Sequence, residues 1–176
     1  MILQNRIIYD YLTFSSRVHS PEDLVSLLGL ESVNFEVKTG FYGYQFRMFF
    51  CGISIHYDGR SDMGVCVEMS GAGCRTFEEF GNGDYDMIRF HYPEKEMNIT
   101  RLDVAYDDFC GKLDLPKLSR DTVDNHFVSR FRDWQVIQGN KGGSVNHGSK
   151  SSNVYIRIYD KAMEQKVDIP HWVRLE

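Results

Sequence analysis

Apolar and polar residues alternate along three short stretches of the chain, 101–108, 153–161 and 172–176. Because successive side chains of a strand point to opposite faces of its sheet, each stretch predicts a β-strand with one apolar and one polar face. The apolar positions are Leu102, Val104, Tyr106, Val154, Ile156, Ile158, Val173 and Leu175. The polar-face positions are Arg101, Asp103, Ala105, Asp107, Tyr155, Arg157, Tyr159, Lys161, Arg174 and Glu176. If these strands share one sheet, its open face suits metal-assisted chemistry on a phosphodiester.

A solvated sheet face would show the same alternation without any function. The residue types favour a functional face over a merely solvated one, because aspartate is a poor strand former. Asp103 and Asp107 would also repel each other on one strand face unless a cation lies nearby. We therefore treat the polar face as a candidate site.

The rest of the chain predicts an α+β fold. Strands are predicted at 7–14, 33–37, 43–50, 53–57, 65–69 and 99–108, and an extended segment at 131–138. Helices are predicted at 21–28, 75–80, 85–90 and 116–125. We expect a single domain over residues 1–176, with a mainly antiparallel sheet, helices packed on one face and an open polar face. The Gly-, Ser-, Asn- and Lys-rich stretch 139–152 predicts either a mobile phosphate-contacting loop or a surface hairpin.

Length and composition permit a real core, since 42% of the 176 residues are apolar. No apolar run is long enough to span a bilayer, so we expect a soluble cytoplasmic protein without a membrane partner. The chain ends within a predicted strand at 171–176, which indicates the N-terminal part of a longer protein. The four cysteines and six histidines show no zinc-type spacing, so local motifs do not predict a histidine-rich metal centre.

The net charge of −5 argues against a general nucleic-acid coat. The charge is unevenly distributed, because residues 111–176 contain 11 Lys and Arg against 8 Asp and Glu. A polyanion is therefore expected to bind in this later part of the chain.

Oxygen ligands on the polar face predict Mg²⁺ or Mn²⁺ as the cofactor. Asp103 and Asp107 would lie about 13 Å apart along an extended strand, so they cannot share one ion through that strand alone. The simpler hypothesis pairs Asp103 with Glu176 from a neighbouring strand and keeps Asp107 as a further candidate ligand. Asp108 is better explained as a cap of the following turn.

Tyr159 is the candidate nucleophile, and Tyr155 is an alternative on the same face. A phenol with the ordinary pKa of about 10 is neutral at pH 7, so attack on phosphorus requires nearby positive charge or a phosphate oriented by a metal. Arg157 and Lys161 could supply that charge. Aromatic residues are also common in strands without any function, so the pattern alone leaves that interpretation open.

Candidate DNA contacts come from three places in the sequence. The polar strand faces contribute guanidinium groups, the stretch 139–152 contributes a hydroxyl and an ammonium group, and the glycine-rich segment 71–75 precedes a predicted helix. Backbone N–H groups of that segment could hold an anion, although a tight turn would also require glycine. The candidate residues are Arg101, Arg174, Ser149, Lys150 and Arg75.

Five phrases in order carry a resemblance to a known family. They are YDYLTF at 9–14, MGVCVEMSGAGCRTFE at 63–78, TRLDVAYDD at 100–108, GSKSSNVYIRIYDKAMEQ at 148–165 and WVRLE at 172–176. The chain resembles the replication initiation factor family, the trans-acting rolling-circle initiators of phages, plasmids and integrative elements. It looks most like the phage branch, and the phrases extend over the length of the chain.

The resemblance implies an enzyme that nicks one strand of single-stranded or supercoiled origin DNA. Such an enzyme joins the 5′ phosphate to a tyrosine, leaves a 3′ hydroxyl as a primer and uses a divalent cation to orient the phosphate. The family's tyrosine falls on Tyr159, with Arg157 and Lys161 beside it, and the family's acids fall on Asp103 and Glu176. A host helicase and a homodimer of the full-length protein are further expected partners. The alternative is a noncatalytic module that binds single-stranded DNA on the same fold.

Overall fold

Alternating apolar residues form antiparallel strands in both halves of the chain. The computed structural model describes residues 3–91, 96–126, 130–140 and 142–176. Its strands are β1 (Arg6–Ser16), β2 (Glu36–Thr39), β3 (Phe46–Phe50), β4 (Ile53–Tyr57), β5 (Val65–Met69), β6 (Met97–Asp108), β7 (Trp134–Gly139), β8 (Gly142–His147), β9 (Ile156–Asp160) and β10 (Val173–Leu175). Its α-helices are α1 (Pro21–Leu27), α2 (Gly71–Phe80), α3 (Tyr85–His91), α4 (Leu115–Val123) and α5 (Lys161–Gln165), and a 3₁₀ turn spans Ser32–Asn34.

Contacts between residues divide the chain into two compact units. The N-terminal unit is Tyr9–Asp103, and the C-terminal unit combines Met1–Ile8 with Val104–Glu176. The division falls within β1 and β6, which each contribute residues to both units. Each unit has its own hydrophobic core, so each is described by itself.

The N-terminal unit is built on the strand order β2-β3-β4-β5-β1-β6. Apolar side chains of one sheet face are fully buried, including Phe14, Ile55 and Val67. Helices α1 and α2 pack on β4. Helix α1 begins with a capping box in which Ser20 and Asp23 each bond the other's backbone N–H, which satisfies donors that a helix start leaves unpaired.

A close backbone approach explains a glycine in the first turn of α2 and another between β3 and β4. A Cβ atom on Gly73 would lie 2.3 Å from the carbonyl oxygen of Gly52, far inside van der Waals contact. Gly52 has a φ of +89°, in the region that glycine adopts most readily. The turn between β3 and β4 and the first turn of α2 therefore both require glycine.

The C-terminal unit has the strand order β6-β10-β9-β8-β7. Its core lies on one face of this sheet and contains Leu115, Val145, Ile158 and Val173. Helix α4 packs on β8 and supplies Leu115. The predicted α+β fold, with an antiparallel sheet and helices on an apolar face, is confirmed.

The largest difference from the sequence prediction is strand β8. Residues 142–147 form a central strand paired with β7 and β9, where a mobile loop or hairpin was expected. Val145 is fully buried in the core, but the surrounding Gly, Ser and Asn residues conceal the alternation. The loop prediction for these six residues was wrong, whereas residues 148–152 do lie outside any strand.

The strand predicted at 153–161 is also shorter than expected. Strand β9 begins at Ile156, so Tyr155 precedes it. The strand ends at Asp160, whose side chain accepts a hydrogen bond from the backbone N–H of Met163 and thereby caps α5. Lys161 consequently belongs to the first turn of α5. None of the helices in the described residues is long and apolar enough to cross a membrane.

Candidate active site

The polar residues of four strands meet in one row across the sheet of the C-terminal unit. Arg174 on β10 lies directly opposite Asp107 on β6 and Tyr159 on β9, and Tyr159 lies opposite Ser144 on β8. Directly opposed residues share a face of an antiparallel sheet. The predicted strands are therefore neighbours, and their polar positions share a face as expected.

This face is polar, but much of it is not open to solvent. Tyr159 is 3% exposed and Arg174 is 4% exposed, and Ala105, which shares the face of Asp107 on β6, is fully buried. The expected exposure of the face is thus wrong at its centre. Burial strengthens the electrostatic interactions made there.

Tyr159, Glu176 and Arg157 form a connected group. The Tyr159 hydroxyl donates a hydrogen bond to Glu176 Oε2 at 3.1 Å. Arg157 Nη1 lies 3.5 Å from Glu176 Oε1, and its guanidinium carbon lies 4.0 Å from the Tyr159 ring centroid. Backbone hydrogen bonds between Arg157 and Glu176 in both directions fix this geometry. The phenol therefore has a proton acceptor and a cation beside it.

The phenol is protonated at neutral pH. Burial raises the pKa of Tyr159 above its ordinary value of 10.0, and the negative charge of Glu176 raises it further. The positive charge of Arg174 acts in the opposite direction but does not reverse the shift. Nucleophilic attack by this oxygen consequently needs a base and additional positive charge.

Lys161 lies at the edge of the group. Its ammonium nitrogen is 5.5 Å from the Tyr159 ring centroid and forms an ion pair with Glu164 of the same helix. Burial alone would raise the pKa of Glu164, but hydrogen bonds from Lys161 and Gln165 outweigh burial and lower it. Lys161 is thus close to the phenol, with much of its charge balanced by Glu164.

Asp107 has a structural partner in place of a metal ion. Its carboxylate accepts hydrogen bonds from Arg174 Nε at 2.7 Å and Nη2 at 3.0 Å. It also accepts from Trp172 Nε1 at 2.8 Å and Arg6 Nε at 3.0 Å. Four donors on a fully buried carboxylate leave little room for metal ligation. The geometry argues against Asp107 as a ligand and against Arg174 as a phosphate contact.

Asp108 is also buried, and it caps the turn that follows β6. Its oxygens accept from the backbone N–H groups of Cys110 at 3.1 Å and Leu113 at 2.6 Å. His171 Nε2 lies 3.1 Å from the same carboxylate. This is the turn cap that the sequence favoured.

Comparison with known proteins identifies the family. The family model described as "Rolling Circle replication initiation protein N-terminal domain" matches residues 6–96, and the model described as "Replication initiation factor" matches residues 97–176. The chain belongs to the rolling-circle replication initiation factor family. The predicted resemblance is confirmed.

Two proteins similar to this chain are informative. It is 32% identical to a Bacillus subtilis (strain 168) protein described as "Putative DNA relaxase NicK", over 92% of the chain and 50% of that protein. It is also 32% identical to the rolling circle replication initiator protein from Geobacillus stearothermophilus, with a TM-score of 0.89 over 98% of the chain and 73% of that structure. The chain thus spans about half the length of the curated relative that it matches.

Two of the predicted site residues, Asp103 and Arg101, lie in the N-terminal unit. Arg101 forms a forked ion pair with Asp103, with Nε 3.0 Å from Oδ1 and Nη2 2.5 Å from Oδ2. The guanidinium carbon of Arg101 also lies 3.8 Å from the ring centroid of Tyr11. Metal ligation by Asp103 together with Glu176 stays a prediction.

The remaining candidate DNA contacts differ in their surroundings. Ser149 and Lys150 are exposed in the turn after β8, where Ser149 Oγ lies 2.9 Å from Ser151 Oγ. Arg75 bonds the carbonyl oxygen of Tyr9 at 2.7 Å and the carboxylate of Glu78 at 2.8 Å, so it ties α2 to β1. The first two residues are available to a phosphate, whereas Arg75 is held by the fold.

Strand β8 adds two residues to the polar face of the C-terminal unit that the sequence did not suggest. Ser144 lies opposite Tyr159 and Asn146 lies opposite Arg157, and both are buried. Within the described residues, Asn146 Oδ1 has no hydrogen-bond partner. The alternation of Ser144 and Asn146 with Val145 was the available signal, but it was taken for loop composition.

The oxygen donors on the polar face of the C-terminal unit fit a hard divalent cation. In the C-terminal unit, the Glu176 carboxylate and the unpartnered Asn146 Oδ1 are oxygen donors on the same face as Tyr159. Magnesium is commonly held by one or two carboxylates together with water and the phosphates of the substrate. The protein therefore needs to supply only part of the coordination shell.

Proposed function

We propose that this chain carries the nicking centre of a rolling-circle replication initiator, with Tyr159 as the nucleophile. The supporting observation is the hydrogen bond from the Tyr159 hydroxyl to Glu176, with Arg157 against the ring. Tyr155 lies before β9 and is only half-buried, and it is not part of this row. Tyr159 is thus the better-placed of the two candidate tyrosines.

In the proposed reaction, the Tyr159 oxygen attacks the phosphorus of one DNA strand while its proton passes to Glu176. A bond forms between the phenolic oxygen and phosphorus, and the bond from phosphorus to the 3′ oxygen breaks. The leaving 3′ oxygen takes a proton and becomes the 3′ hydroxyl that primes synthesis. The 5′ phosphate remains on Tyr159, so no hydrolysis occurs in this step.

Because the pKa of the phenol is raised, nearby positive charge is needed to stabilise the phenolic oxygen as it loses its proton. Arg157 is placed to neutralise charge on the transferred phosphoryl group. A bound Mg²⁺ or Mn²⁺ would add Lewis-acid polarisation of the phosphate. Asn146 is a candidate ligand in this unit, Glu176 would bind only through the carboxylate oxygen that does not take the proton, and Asp103 is the predicted additional ligand. Helicase recruitment and dimerisation of the longer protein stay predictions.

The test is a covalent-adduct assay with the full-length protein. Supercoiled and single-stranded DNA carrying its replication origin is incubated with Mg²⁺ or Mn²⁺, and the protein–DNA adduct is resolved under denaturing conditions. We expect Tyr159→Phe to abolish the adduct and Tyr155→Phe to retain it. Because Tyr159→Phe removes one hydrogen bond, its cost in stability should be about 1–3 kcal/mol, which leaves the fold intact.

Loss of the adduct in Tyr155→Phe, with retention in Tyr159→Phe, would transfer the nucleophile to Tyr155. Retention in both variants would disprove a role for either tyrosine. Chelation tests the metal requirement. The proposal requires adduct formation to stop in EDTA and to resume when Mg²⁺ or Mn²⁺ is restored.

A second candidate function is noncatalytic binding of single-stranded DNA, and the N-terminal unit contains an observation that favours it. The guanidinium carbon of Arg47 lies 4.5 Å from the Phe41 ring centroid and 5.2 Å from that of Phe49. Lys38 Nζ lies 4.5 Å from the Phe49 centroid. Aromatic rings interleaved with cations are the usual platform for stacked bases and their phosphates.

The two functions are separated by metal dependence. Binding of a labelled single strand that survives EDTA and Asp103→Asn, without cleavage under any divalent metal, would favour the noncatalytic function. Cleavage that is lost in Tyr159→Phe while binding persists would favour the nicking function. The aromatic rings of Phe41 and Phe49, with Arg47 and Lys38, would then serve to bind the DNA.

A further inference from the structure

Two histidines and a glutamate, none of them assigned to nicking, meet at one side of the N-terminal unit. His19 follows β1, His91 ends α3, and Glu96 immediately precedes β6. One potential ligand atom from each residue lies within 4.8 Å of the other two. Three separate chain segments therefore converge on one small volume.

The contacts within this group already resemble the surroundings of a metal site. His91 Nδ1 lies 2.5 Å from Glu96 Oε2. The His19 and His91 rings meet edge to face, with centroids 5.7 Å apart. A tetrahedral zinc site, with metal–ligand bonds of about 2.0–2.2 Å, places ligand atoms about 3.3 Å apart. The separation of 2.5 Å between His91 Nδ1 and Glu96 Oε2 is shorter than this value, and all three ligand atoms lie within 4.8 Å of one another, so modest side-chain rotation brings them to it.

The buried hydroxyl of Ser16 holds the group in place. Ser16 Oγ lies 2.8 Å from His19 Nδ1 and donates to the carbonyl oxygen of Glu96 at 2.8 Å. Bonding at Nδ1 leaves Nε2 of His19 as the ligand atom. Metal-bound histidines usually have their second ring nitrogen fixed by such a partner, which sets the tautomer and the orientation of the ring.

Solvent access to the three side chains and the types of their ligand atoms both suit a zinc ion. The side chain of His91 is 23% exposed and that of Glu96 is 41% exposed, so an ion can enter from solvent. Imidazole nitrogen favours zinc over magnesium, and two histidines with one glutamate and a water complete four-coordinate zinc. This donor set differs from the oxygen donors around Tyr159.

We propose that His19, His91 and Glu96 bind one zinc ion that joins the end of β1, the end of α3 and the start of β6. The ion replaces the direct contact between His91 and Glu96, with water as the fourth ligand. Its role is to cross-link the N-terminal unit, separately from the metal proposed for nicking.

The test is zinc titration of the metal-stripped full-length protein by isothermal calorimetry, in excess Mg²⁺ to saturate oxygen-only sites. We expect one equivalent of zinc in the wild-type protein. His19→Gln and Glu96→Gln should each weaken binding by about 100-fold or more, since loss of even an outer-shell partner costs about 10–100-fold. His126→Gln, which changes an exposed histidine of the C-terminal unit, is the matched control and should bind as wild type.

Thermal unfolding gives the second measurement. Zinc at a hundredfold excess over its dissociation constant should raise the Tm of the wild-type protein by about 5–10 °C and leave that of His19→Gln unchanged. If His19→Gln proves unfolded in circular dichroism, Glu96→Gln decides the question, because it preserves the size of the side chain. Failure of the wild-type protein to bind zinc, or equal binding by wild type and both ligand variants, would overturn the proposal and leave a simple histidine–glutamate ion pair. Nicking by Tyr159 is measured separately, so its success or failure does not bear on this result.

Discussion

The buried ion pair between Asp107 and Arg174 predicts a large loss of stability in Asp107→Asn. Asp107 is fully buried and Arg174 is 4% exposed. Removing one charge of a buried pair costs about 3–5 kcal/mol, because the other charge stays buried without compensation. Asparagine keeps one acceptor oxygen, so we expect about 3 kcal/mol. For a chain of 176 residues this corresponds to a fall in Tm of about 6–12 °C.

Asp103→Asn is a matched control on the same strand. Its ion pair with Arg101 is exposed, with side-chain exposures of 37% and 54%. Exposed pairs contribute about 0–1 kcal/mol, so the control should lower the Tm by no more than about 4 °C. Thermal and urea unfolding followed by circular dichroism, without metal, compare the two variants. Equal shifts would refute the assignment of Asp107 to a structural pair, and a stabilised Asp107→Asn would indicate relief of repulsion in an empty metal site.

The pH dependence of unfolding provides an independent check. Burial raises the pKa of Asp107, but hydrogen bonds from Arg174 and Trp172 outweigh burial and bring it below the ordinary value of 3.8. A carboxyl group with a lowered pKa in the folded state stabilises the protein fully above its unfolded pKa. That contribution is lost as the pH falls through the lowered value. The difference in stability between wild type and Asp107→Asn should therefore be constant near neutral pH and shrink in acid.

Two further predictions concern the phenol and the backbone. Glu176→Gln should slow nicking by about 10²–10⁴-fold, because it removes the proposed proton acceptor, whereas Glu164→Gln should change the rate much less; initial rates on supercoiled DNA compare them. A slowing of equal size in both variants would contradict the role of Glu176. Gly73→Ala should lower the free energy of unfolding by about 1–3 kcal/mol in urea, since its Cβ would lie 2.3 Å from the carbonyl oxygen of Gly52. An unchanged urea midpoint would show that α2 shifts to accommodate the added Cβ atom without loss of stability.

Alternation in the sequence located the polar face correctly wherever the opposite face is strongly apolar. Ile158 and Val173 identify the core face of β9 and β10, which places Tyr159 and Arg174 on the other side. The same argument failed for β8, because Val145 is the one aliphatic residue in that strand and no apolar alternation is visible around it. Local pattern shows which face a side chain takes, but it does not show which strands are neighbours.

The sequence did not predict the role of Asp107 for a related reason. Its partner Arg174 is distant along the chain and meets it only through the pairing of β6 with β10. Without that register, a buried ion pair and a metal ligand look alike. The convergence of His19, His91 and Glu96 was hidden in the same way, because no local spacing predicts it.

Charge balance around Tyr159 explains how proton transfer and phosphate binding could be coupled in the proposed reaction. Arg174 is neutralised by Asp107, and Lys161 is paired with Glu164. Arg157 has Glu176 as its nearby carboxylate, at 3.5 Å. When Glu176 takes the phenolic proton it becomes neutral, so Arg157 loses its counter-charge as negative charge develops on the phosphoryl group. The attraction between Arg157 and the phosphate then grows as the reaction proceeds, which is the condition for selective stabilisation of a transition state.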